Sequence, residues 1–287
     1  CGKNIYLKLE NLQLTHAFKI RGALNRMQLL NSEEKARGVI TASSGNHAQG
    51  IALAAKHLGI SAKIVVPKNV SKAKLSKIEK FDVTIIRQGD FDEIEGIARK
   101  LSSQENLTYI SPYNDIEIIA GQGTITLEIY EDLKEVDTII VPIGGGGLIS
   151  GIAFTAKSID PNIKVIGVQT KGASTMYKSW KMGKIVQAEE FDTIAEGLLG
   201  GLESGAITFD IIMEKVDDVV LVNEDSIRNA INILWRYEGQ IVEGAGATVV
   251  AYILEKQQNI KGKNVVAVIS GGNIDSDLFN EITKNKD

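Results

Sequence analysis

A lysine stands among apolar residues in the segment LQLTHAFKIRG, residues 12–22. Lys19 lies between Phe18 and Ile20, where a polar stretch changes into an apolar run with helical spacing. A lysine amine in a desolvated pocket has a lowered pKa, and it can form a Schiff base with an aldehyde. A solvated helix charge, a phosphate-binding group and a reactive amine are therefore the three interpretations of Lys19.

A run of four glycines, Gly144, Gly145, Gly146 and Gly147, precedes the helix-like segment LISGIAFTAK. Glycine reaches positive φ, so successive N–H groups can turn towards one anion, and the following helix N-terminus adds positive potential. No Lys-Ser or Lys-Thr pair follows, which excludes a Walker A loop, and Ile149 breaks the dinucleotide pattern G-x-G-x-x-G. The glycines favour a phosphate group bound without Mg²⁺; a tight strand–helix turn is the alternative.

Two further segments carry hydroxyl, amide and imidazole groups. The segment SSGNHAQG contributes, in order, Ser43, Ser44, Gly45, Asn46 and His47. Free N–H groups before the predicted helix can hold a carboxylate, and Asn46 can bond a phenolic oxygen; the alternative is an ordinary helix N-cap by Ser43 or Ser44. Ser270 opens the other segment, SGGNID.

Short apolar runs rich in β-branched residues alternate with segments of helical spacing along the whole chain. Most runs are continuous, which is typical of strands buried on both faces of a parallel sheet. The alternation predicts a doubly wound α/β architecture. The predicted strands are 5–9, 38–42, 62–67, 82–86, 137–144, 164–169, 218–222 and 264–272. The predicted helices are 49–57, 91–101, 118–133, 148–156 and 226–237.

The three polar, glycine-rich segments each follow a predicted strand. In open parallel sheets the ligand binds outside the carboxyl ends of the strands, where loops lead into helix N-termini. We therefore expect the three segments to form one site.

Composition narrows the classes of protein. The chain has 287 residues, 44% hydrophobic and 24% charged, which is typical of a globular protein. A net charge of −4 without a basic arm gives no indication of a nucleic-acid or anionic-membrane partner. No apolar run reaches about 18 residues, so no membrane span is predicted. The single cysteine, Cys1, excludes an intrachain disulfide and favours a reducing, cytoplasmic location.

Five segments together resemble the threonine dehydratase and serine racemase group of fold-type II pyridoxal-phosphate enzymes, to which tryptophan synthase β is related. They are KLENLQLTHAFKIRGA, TASSGNHAQGIALAA, IAGQGT, VPIGGGGLISGIA and ISGGNID, in this order along nearly the whole chain. The resemblance implies two lobes with parallel sheets: a large lobe of residues 1–37 and 117–287, and an inserted small lobe of residues 38–116. It also implies a homodimer.

The resemblance assigns cofactor contacts by position. Lys19 matches the lysine that forms the internal aldimine with pyridoxal phosphate, and Phe18 matches the residue packed beside the ring. Asn46 matches the residue that bonds the 3′-oxygen of the ring, and Ser270 the partner of the pyridine nitrogen. Gly144 to Gly147 match the phosphate-binding loop.

The resemblance also assigns substrate contacts and a reaction. Ser43, Ser44, Gly45 and His47 match the loop that closes on the substrate carboxylate, and Ser44 matches the opposite-face acid/base of the racemases. A serine hydroxyl cannot keep the pyridine nitrogen protonated as a carboxylate would, which favours loss of a β-substituent. With Lys19 as the base, we expect conversion of L-threonine, and L-serine as a second substrate, into a 2-oxo acid and ammonia.

Some positions depart from the family pattern. His16 and Ala17 replace the glycine and hydroxyl of T-G-S-F-K. Gln169 and Thr175 stand where serine racemases place cation-binding carboxylates, which predicts no metal site and favours the dehydratase. Glu243 can face the cofactor or cap the next helix.

Several alternative functions stay open at this point. They are a serine racemase, a dehydratase of another β-hydroxy amino acid such as 3-hydroxyaspartate, a catalytically silent pyridoxal-phosphate-binding protein, and a Rossmann-like nucleotide binder that uses only the glycine turn.

Overall fold

The computed structural model describes residues 2–284; Cys1 and residues 285–287, the last of the predicted large lobe, lie outside it. The strands are β1 Asn4–Leu9, β2 Val39–Ala42, β3 Ala62–Val66, β4 Thr84–Arg87, β5 Thr108–Tyr109, β6 Thr138–Pro142, β7 Lys164–Thr170, β8 Asp218–Val222 and β9 Asn264–Ile269. The helices are α1 Lys19–Gln28, α2 Ser32–Arg37, α3 Asn46–Leu58, α4 Lys72–Ile78, α5 Ile94–Glu105, α6 Ile116–Asp132, α7 Gly147–Ile159, α8 Thr175–Met182, α9 Ile207–Lys215, α10 Glu224–Glu238, α11 Gly244–Lys256 and α12 Ser276–Thr283. None of these helices is long and apolar enough to cross a membrane.

The strands form two sheets in which every described pair is parallel. The five-stranded sheet has the order β1-β9-β6-β7-β8, and the four-stranded sheet has the order β4-β3-β2-β5. The predicted α/β class with parallel sheets is confirmed. The strands of the smaller sheet lie between Val39 and Tyr109, and the predicted lobe boundaries at 38 and 116 stay a prediction.

Helices cover both faces of the five-stranded sheet, which explains why its central strands are apolar throughout. All five residues of β6 are buried. Ile139 and Val141 pack with Ile152 of α7, whereas Ile140 packs with Val250 of α11. Alternate side chains of one strand therefore enter two separate cores, as expected for a strand buried on both sides.

Three helices that lead to the site touch through glycines. A Cβ atom at Gly121 of α6 would lie 2.6 Å from the Cα atom of Gly22 in α1. A Cβ atom at Gly151 of α7 would lie 2.7 Å from the backbone nitrogen of Gly123 in α6. Direct backbone contact thus joins α1 to α6 and α6 to α7, and it fixes the start of α1 relative to the start of α7.

Candidate active site

The amine of Lys19 is held at the first residue of α1. Its Nζ atom donates a hydrogen bond of 2.6 Å to the carbonyl oxygen of Pro112 and lies 5.1 Å from the centre of the Phe18 ring. Burial lowers the pKa of the Lys19 amine to about 8, and the negative charge of Glu243 opposes this shift. Near neutral pH a larger fraction of this amine is therefore uncharged than in an ordinary lysine.

Ser270 lies across from the lysine, directly after β9. The backbone nitrogen of Phe18 donates to the Ser270 carbonyl at 3.0 Å, and that of Gly272 donates to the His16 carbonyl at 2.8 Å. His16 has a φ of 54°, a conformation that favours glycine. The Ser270 side chain is buried, and its hydroxyl makes no hydrogen bond with any described residue. The structure thus brings Lys19 and Ser270 together.

The glycine loop connects β6 to α7. Gly146 has a φ of +92°, and a Cβ atom at Gly145 would lie 2.5 Å from the ring of Tyr113. The backbone nitrogens of Gly144 to Gly147 have no acceptor among residues 2–284. Tyr113 follows the residue whose carbonyl holds the lysine amine, and its phenol oxygen accepts a 3.0 Å hydrogen bond from the backbone nitrogen of Glu203. Tyr113 therefore supports the loop and ties it to Lys19.

Asn46 begins α3 and forms a hydrogen-bonded ring with two other side chains. Its Nδ2 atom donates to Glu243 Oε1 at 2.8 Å, and its Oδ1 atom accepts from Asn273 Nδ2 at 2.9 Å. The backbone nitrogen of Asn273 donates to Glu243 Oε2 at 3.1 Å. Glu243 precedes α11 but makes no side-chain cap there. Burial raises the pKa of Glu243, and the hydrogen bond from Asn46 opposes this.

The two serines lie between β2 and α3 and are partly exposed. The Ser43 hydroxyl accepts a 3.2 Å hydrogen bond from the backbone nitrogen of Gly45. Gly45 is the N-cap residue of α3, and no side chain caps this helix. The alternative that Ser43 or Ser44 is an ordinary N-cap is therefore wrong. The Ser44 hydroxyl is free to meet a ligand, because it bonds no described residue.

His47 is separated from the serines by burial. Its side chain is 3% exposed, and neither ring nitrogen makes a hydrogen bond of ordinary geometry. Burial, followed by the positive charge of Lys19, lowers the pKa of His47 to about 3, and the Ile110 backbone opposes this to a smaller extent. The imidazole is therefore neutral near pH 7. Its predicted contact with a substrate carboxylate stays a prediction.

The uncommitted polar groups fit the parts of pyridoxal phosphate. The free N–H groups of Gly144 to Gly147 suit a phosphate. The Lys19 amine suits an aldehyde. The Ser270 hydroxyl and the remaining N–H of Asn46 are free to meet the ring nitrogen and the ring oxygen. The residues present therefore fit this cofactor chemically.

Both polar atoms of the Gln169 side chain have hydrogen-bond partners within the chain. Its Oε1 atom accepts a 2.7 Å hydrogen bond from the backbone nitrogen of Tyr177, and its Nε2 atom donates to the Ile143 carbonyl at 3.1 Å. In the described part of the chain, no three His, Cys, Asp or Glu residues are grouped to hold a metal. The lack of a metal site stays a prediction.

Sequence reasoning assigned no role to Tyr113 or Asn273. Tyr113 belongs to the segment SPYND, where nothing in the residue pattern indicates contact with the glycine loop. Asn273 lies in SGGNID, and the available signal was a polar amide directly after a strand end and two glycines. The sequence allows Glu243 either to face the cofactor or to cap α11, and only the fold places it against Asn46.

The chain is similar to known proteins over nearly its full length. Residues 1–271 match the family described as pyridoxal-phosphate dependent enzyme. The L-threonine ammonia-lyase of Thermotoga maritima is 45% identical over 282 residues, which cover 98% of this chain and 70% of that protein. The processed form of threonine deaminase isoform 2 from Solanum lycopersicum has a TM-score of 0.93 at 40% identity, covering 99% of this chain and 78% of that one.

Maize serine racemase also shares the fold, with a TM-score of 0.92 at 37% identity over 99% of this chain and 88% of that one. These similarities confirm the predicted fold class, that of fold-type II pyridoxal-phosphate enzymes, and the predicted resemblance to the threonine dehydratase and serine racemase group. The cofactor named for this family also agrees with the free polar groups around Lys19, which fit pyridoxal phosphate. The chain belongs to the family of pyridoxal-phosphate dependent enzymes.

Proposed function

We propose that the protein is an L-threonine ammonia-lyase that converts L-threonine, and L-serine as a second substrate, into the 2-oxo acid and ammonia. The observation that carries this proposal is the position of the buried Lys19 amine, whose Nζ atom donates to the Pro112 carbonyl at 2.6 Å and whose pKa is lowered by burial to about 8. Similarity to the L-threonine ammonia-lyase of Thermotoga maritima, 45% identical over 98% of this chain, supports the choice of substrate.

The proposed cofactor contacts follow from the free groups of the site. The backbone nitrogens of Gly144 to Gly147 hold the phosphate, and Phe18 packs beside the ring. Ser270 faces the ring nitrogen and Asn46 the ring oxygen. When bound, pyridoxal phosphate supplies an electron-accepting ring that stabilises negative charge at the substrate Cα. The Ser270 hydroxyl is neutral and, unlike a carboxylate, would not keep the ring nitrogen protonated, which favours loss of the β-hydroxyl.

Lys19 is the proposed general base. Its Nζ atom takes the α-proton of the substrate when the amine is uncharged. Because burial disfavours the ammonium form, Lys19 readily gives this proton up, and the departing β-hydroxyl takes up a proton and leaves as water. The Ser43 and Ser44 hydroxyls, on the loop that Gly45 joins to α3, are offered to the substrate carboxylate, and this orients the Cα–H bond towards Lys19.

A racemase is the nearest competing function, because it needs a second acid/base on the other side of the substrate. Ser44 has a free hydroxyl that suits this role. Against it, an uncharged amide, Gln169, stands where serine racemases place a cation-binding carboxylate, and its oxygen already accepts the Tyr177 N–H. The lyase is therefore favoured.

Release of 2-oxo acid from L-threonine tests the proposal. Purified protein with added pyridoxal phosphate is expected to release 2-oxobutanoate, and Lys19→Ala is expected to release none. L-serine and 3-hydroxyaspartate run in parallel define the substrate class, and chiral analysis detects D-serine. Cofactor binding without product from any of the three would refute the lyase.

We also propose a cytoplasmic homodimer. The resemblance implies the dimer, and the exposed side chains of Leu12 (66%) and Leu14 (81%) offer apolar surface for it. The single cysteine supports the location. Analytical ultracentrifugation of the cofactor-loaded protein tests the dimer, and a single monomeric species would refute it.

A further inference from the structure

We infer that Glu243 is a positioning residue that fixes the amide orientation of Asn46, so that Asn46 presents an N–H group to the ring oxygen of the cofactor. The inference rests on the proposed cofactor site. It concerns which group of Asn46 is available, since an amide can either donate or accept.

The amide of Asn46 is held from both sides. Its Nδ2 atom donates to Glu243 Oε1 at 2.8 Å, and its Oδ1 atom accepts from Asn273 Nδ2 at 2.9 Å. An amide nitrogen carries two hydrogens, of which one is bound to the carboxylate. One N–H of Asn46 is left, and it is the only donor that the side chain can offer a ligand.

Asn273 cannot reverse its own role in this ring. Its Nδ2 atom also donates to the Thr15 carbonyl at 2.8 Å, and its Oδ1 atom accepts from Lys77 Nζ at 3.2 Å. Both hydrogens and the oxygen of this amide are therefore committed. Asn273 accordingly meets Asn46 as a donor.

The Glu243 carboxylate holds the orientation of Asn46 from the side opposite Asn273. An ionised carboxylate only accepts hydrogen bonds, so a flipped Asn46 would place its oxygen against the Glu243 oxygen. Both Glu243 oxygens accept N–H groups, one from Asn46 and one from the Asn273 backbone. Burial raises the pKa of Glu243, whereas the hydrogen bonds from Asn46 and the Asn273 backbone and the positive charge of Lys77 favour its ionised form.

This arrangement has a spectroscopic consequence. An N–H donor at the ring oxygen stabilises the oxygen as an anion, while a carbonyl acceptor there would stabilise the protonated oxygen. The two forms of the bound cofactor absorb in different bands, visible and near-ultraviolet, so their ratio reports the group that Asn46 presents. A role limited to supporting α11 would not change that ratio.

The test is Glu243→Gln in the cofactor-loaded protein. Glutamine has a single acceptor oxygen, and when that oxygen meets the Asn273 backbone N–H its NH₂ group faces Asn46 and opposes the present orientation of that amide. The ratio of anionic to neutral bands is therefore expected to fall about tenfold, the scale of one hydrogen bond to a charged group. Glu238→Gln, at an exposed glutamate that ends α10, is the matched control and is expected to keep the wild-type ratio.

Glu243→Asp carries the test if the glutamine variant does not fold. Its carboxylate keeps the charge but is one methylene shorter, so the bond to Asn46 weakens and a smaller fall in the ratio is expected. An unchanged ratio in the tested variant, with or without a lower melting temperature, overturns the inference. If the ratio is unchanged but the wild-type protein shows lyase activity, the proposed function stands without the inference about Glu243. If the wild-type protein shows no cofactor absorbance, both the inference and the proposed function are overturned.

Discussion

Replacing Gly121 by alanine is expected to lower kcat by moving Lys19, the proposed general base. The added Cβ atom would lie 2.6 Å from the Gly22 Cα atom, 2.8 Å from the Arg21 carbonyl oxygen and 2.9 Å from the Gly22 nitrogen. All three are backbone atoms of α1, so no side chain can rotate away. Ordinary contact begins at 3.4 Å, and α1 must therefore retreat by roughly 0.8 Å.

The size of the effect follows from this displacement. Lys19 precedes Arg21 by two residues, so its amine moves with the helix. A misplacement near 1 Å costs a reacting group about 100-fold in rate, so we expect kcat to fall by about 10- to 100-fold. Overpacking costs about 1–3 kcal/mol of the free energy of unfolding, and the higher helix propensity of alanine offsets about 1 kcal/mol of it.

The assay compares kcat and stability with a matched glycine. Gly96 lies in α5, and a Cβ atom there meets nothing within 4 Å. Gly96→Ala is expected to raise the free energy of unfolding by about 0.5–1 kcal/mol and to leave kcat unchanged. The measurement is made at saturating concentrations of cofactor and substrate, so weaker binding cannot be the cause of a lower kcat in Gly121→Ala. A wild-type kcat in Gly121→Ala would refute the idea that α6 sets the position of Lys19.

Three further predictions concern buried charge. The rate at which the apo protein captures pyridoxal phosphate should rise with pH through about 8, the lowered pKa of Lys19, because only the neutral amine attacks the aldehyde. Stopped-flow absorbance measures this rate, and an inflection near the ordinary lysine pKa of 10.5 would contradict the prediction. As the pH is lowered from 6.5, the free energy of unfolding should decrease by up to about 1.4 kcal/mol per pH unit. The reason is that His47 takes up its proton only near a pKa of about 3 when folded; urea titrations of His47→Gln should show a flatter profile. Arg21→Met should lower the free energy of unfolding by about 3–5 kcal/mol, because it leaves the buried Glu10, 1% exposed, without its cation. The double variant Arg21→Met/Glu10→Gln should regain stability, and equal urea stability of the single and double variants would contradict this explanation.

The fold was largely predictable because its signals are local. Continuous β-branched runs and 3.6-residue periodicity each depend on a few neighbouring residues, and eight of the strands lie at predicted places. The ninth, β5, has only two residues, Thr108 and Tyr109. A two-residue strand has no period to read, and it pairs because β2 supplies an open edge.

The site was predictable only where a strand end or a glycine run marks it. Lys19, Gly144 to Gly147 and Ser270 stand at such places, and the fold brings them together. The contacts that orient them join distant parts of the chain: Lys19 and Pro112 are 93 residues apart, and Asn46 and Glu243 are 197 apart. No local pattern encodes such pairs, so their geometry needed the structure.

Backbone contact between helices explains how distant groups keep a precise geometry. A Cβ atom at Gly50 of α3 would lie 3.2 Å from the Lys19 carbonyl carbon, so the helix that carries Asn46 rests on the start of α1. The same start of α1 is held against α6, and α6 against α7, by the glycines described above. Side chains can change rotamer, but packed backbones can only move as whole helices, which is costly in a close-packed interior. Lys19, the Asn46 amide and the glycine loop are therefore held as one rigid unit, and any methyl group added at these contacts is expected to change the distances between the proposed reacting groups.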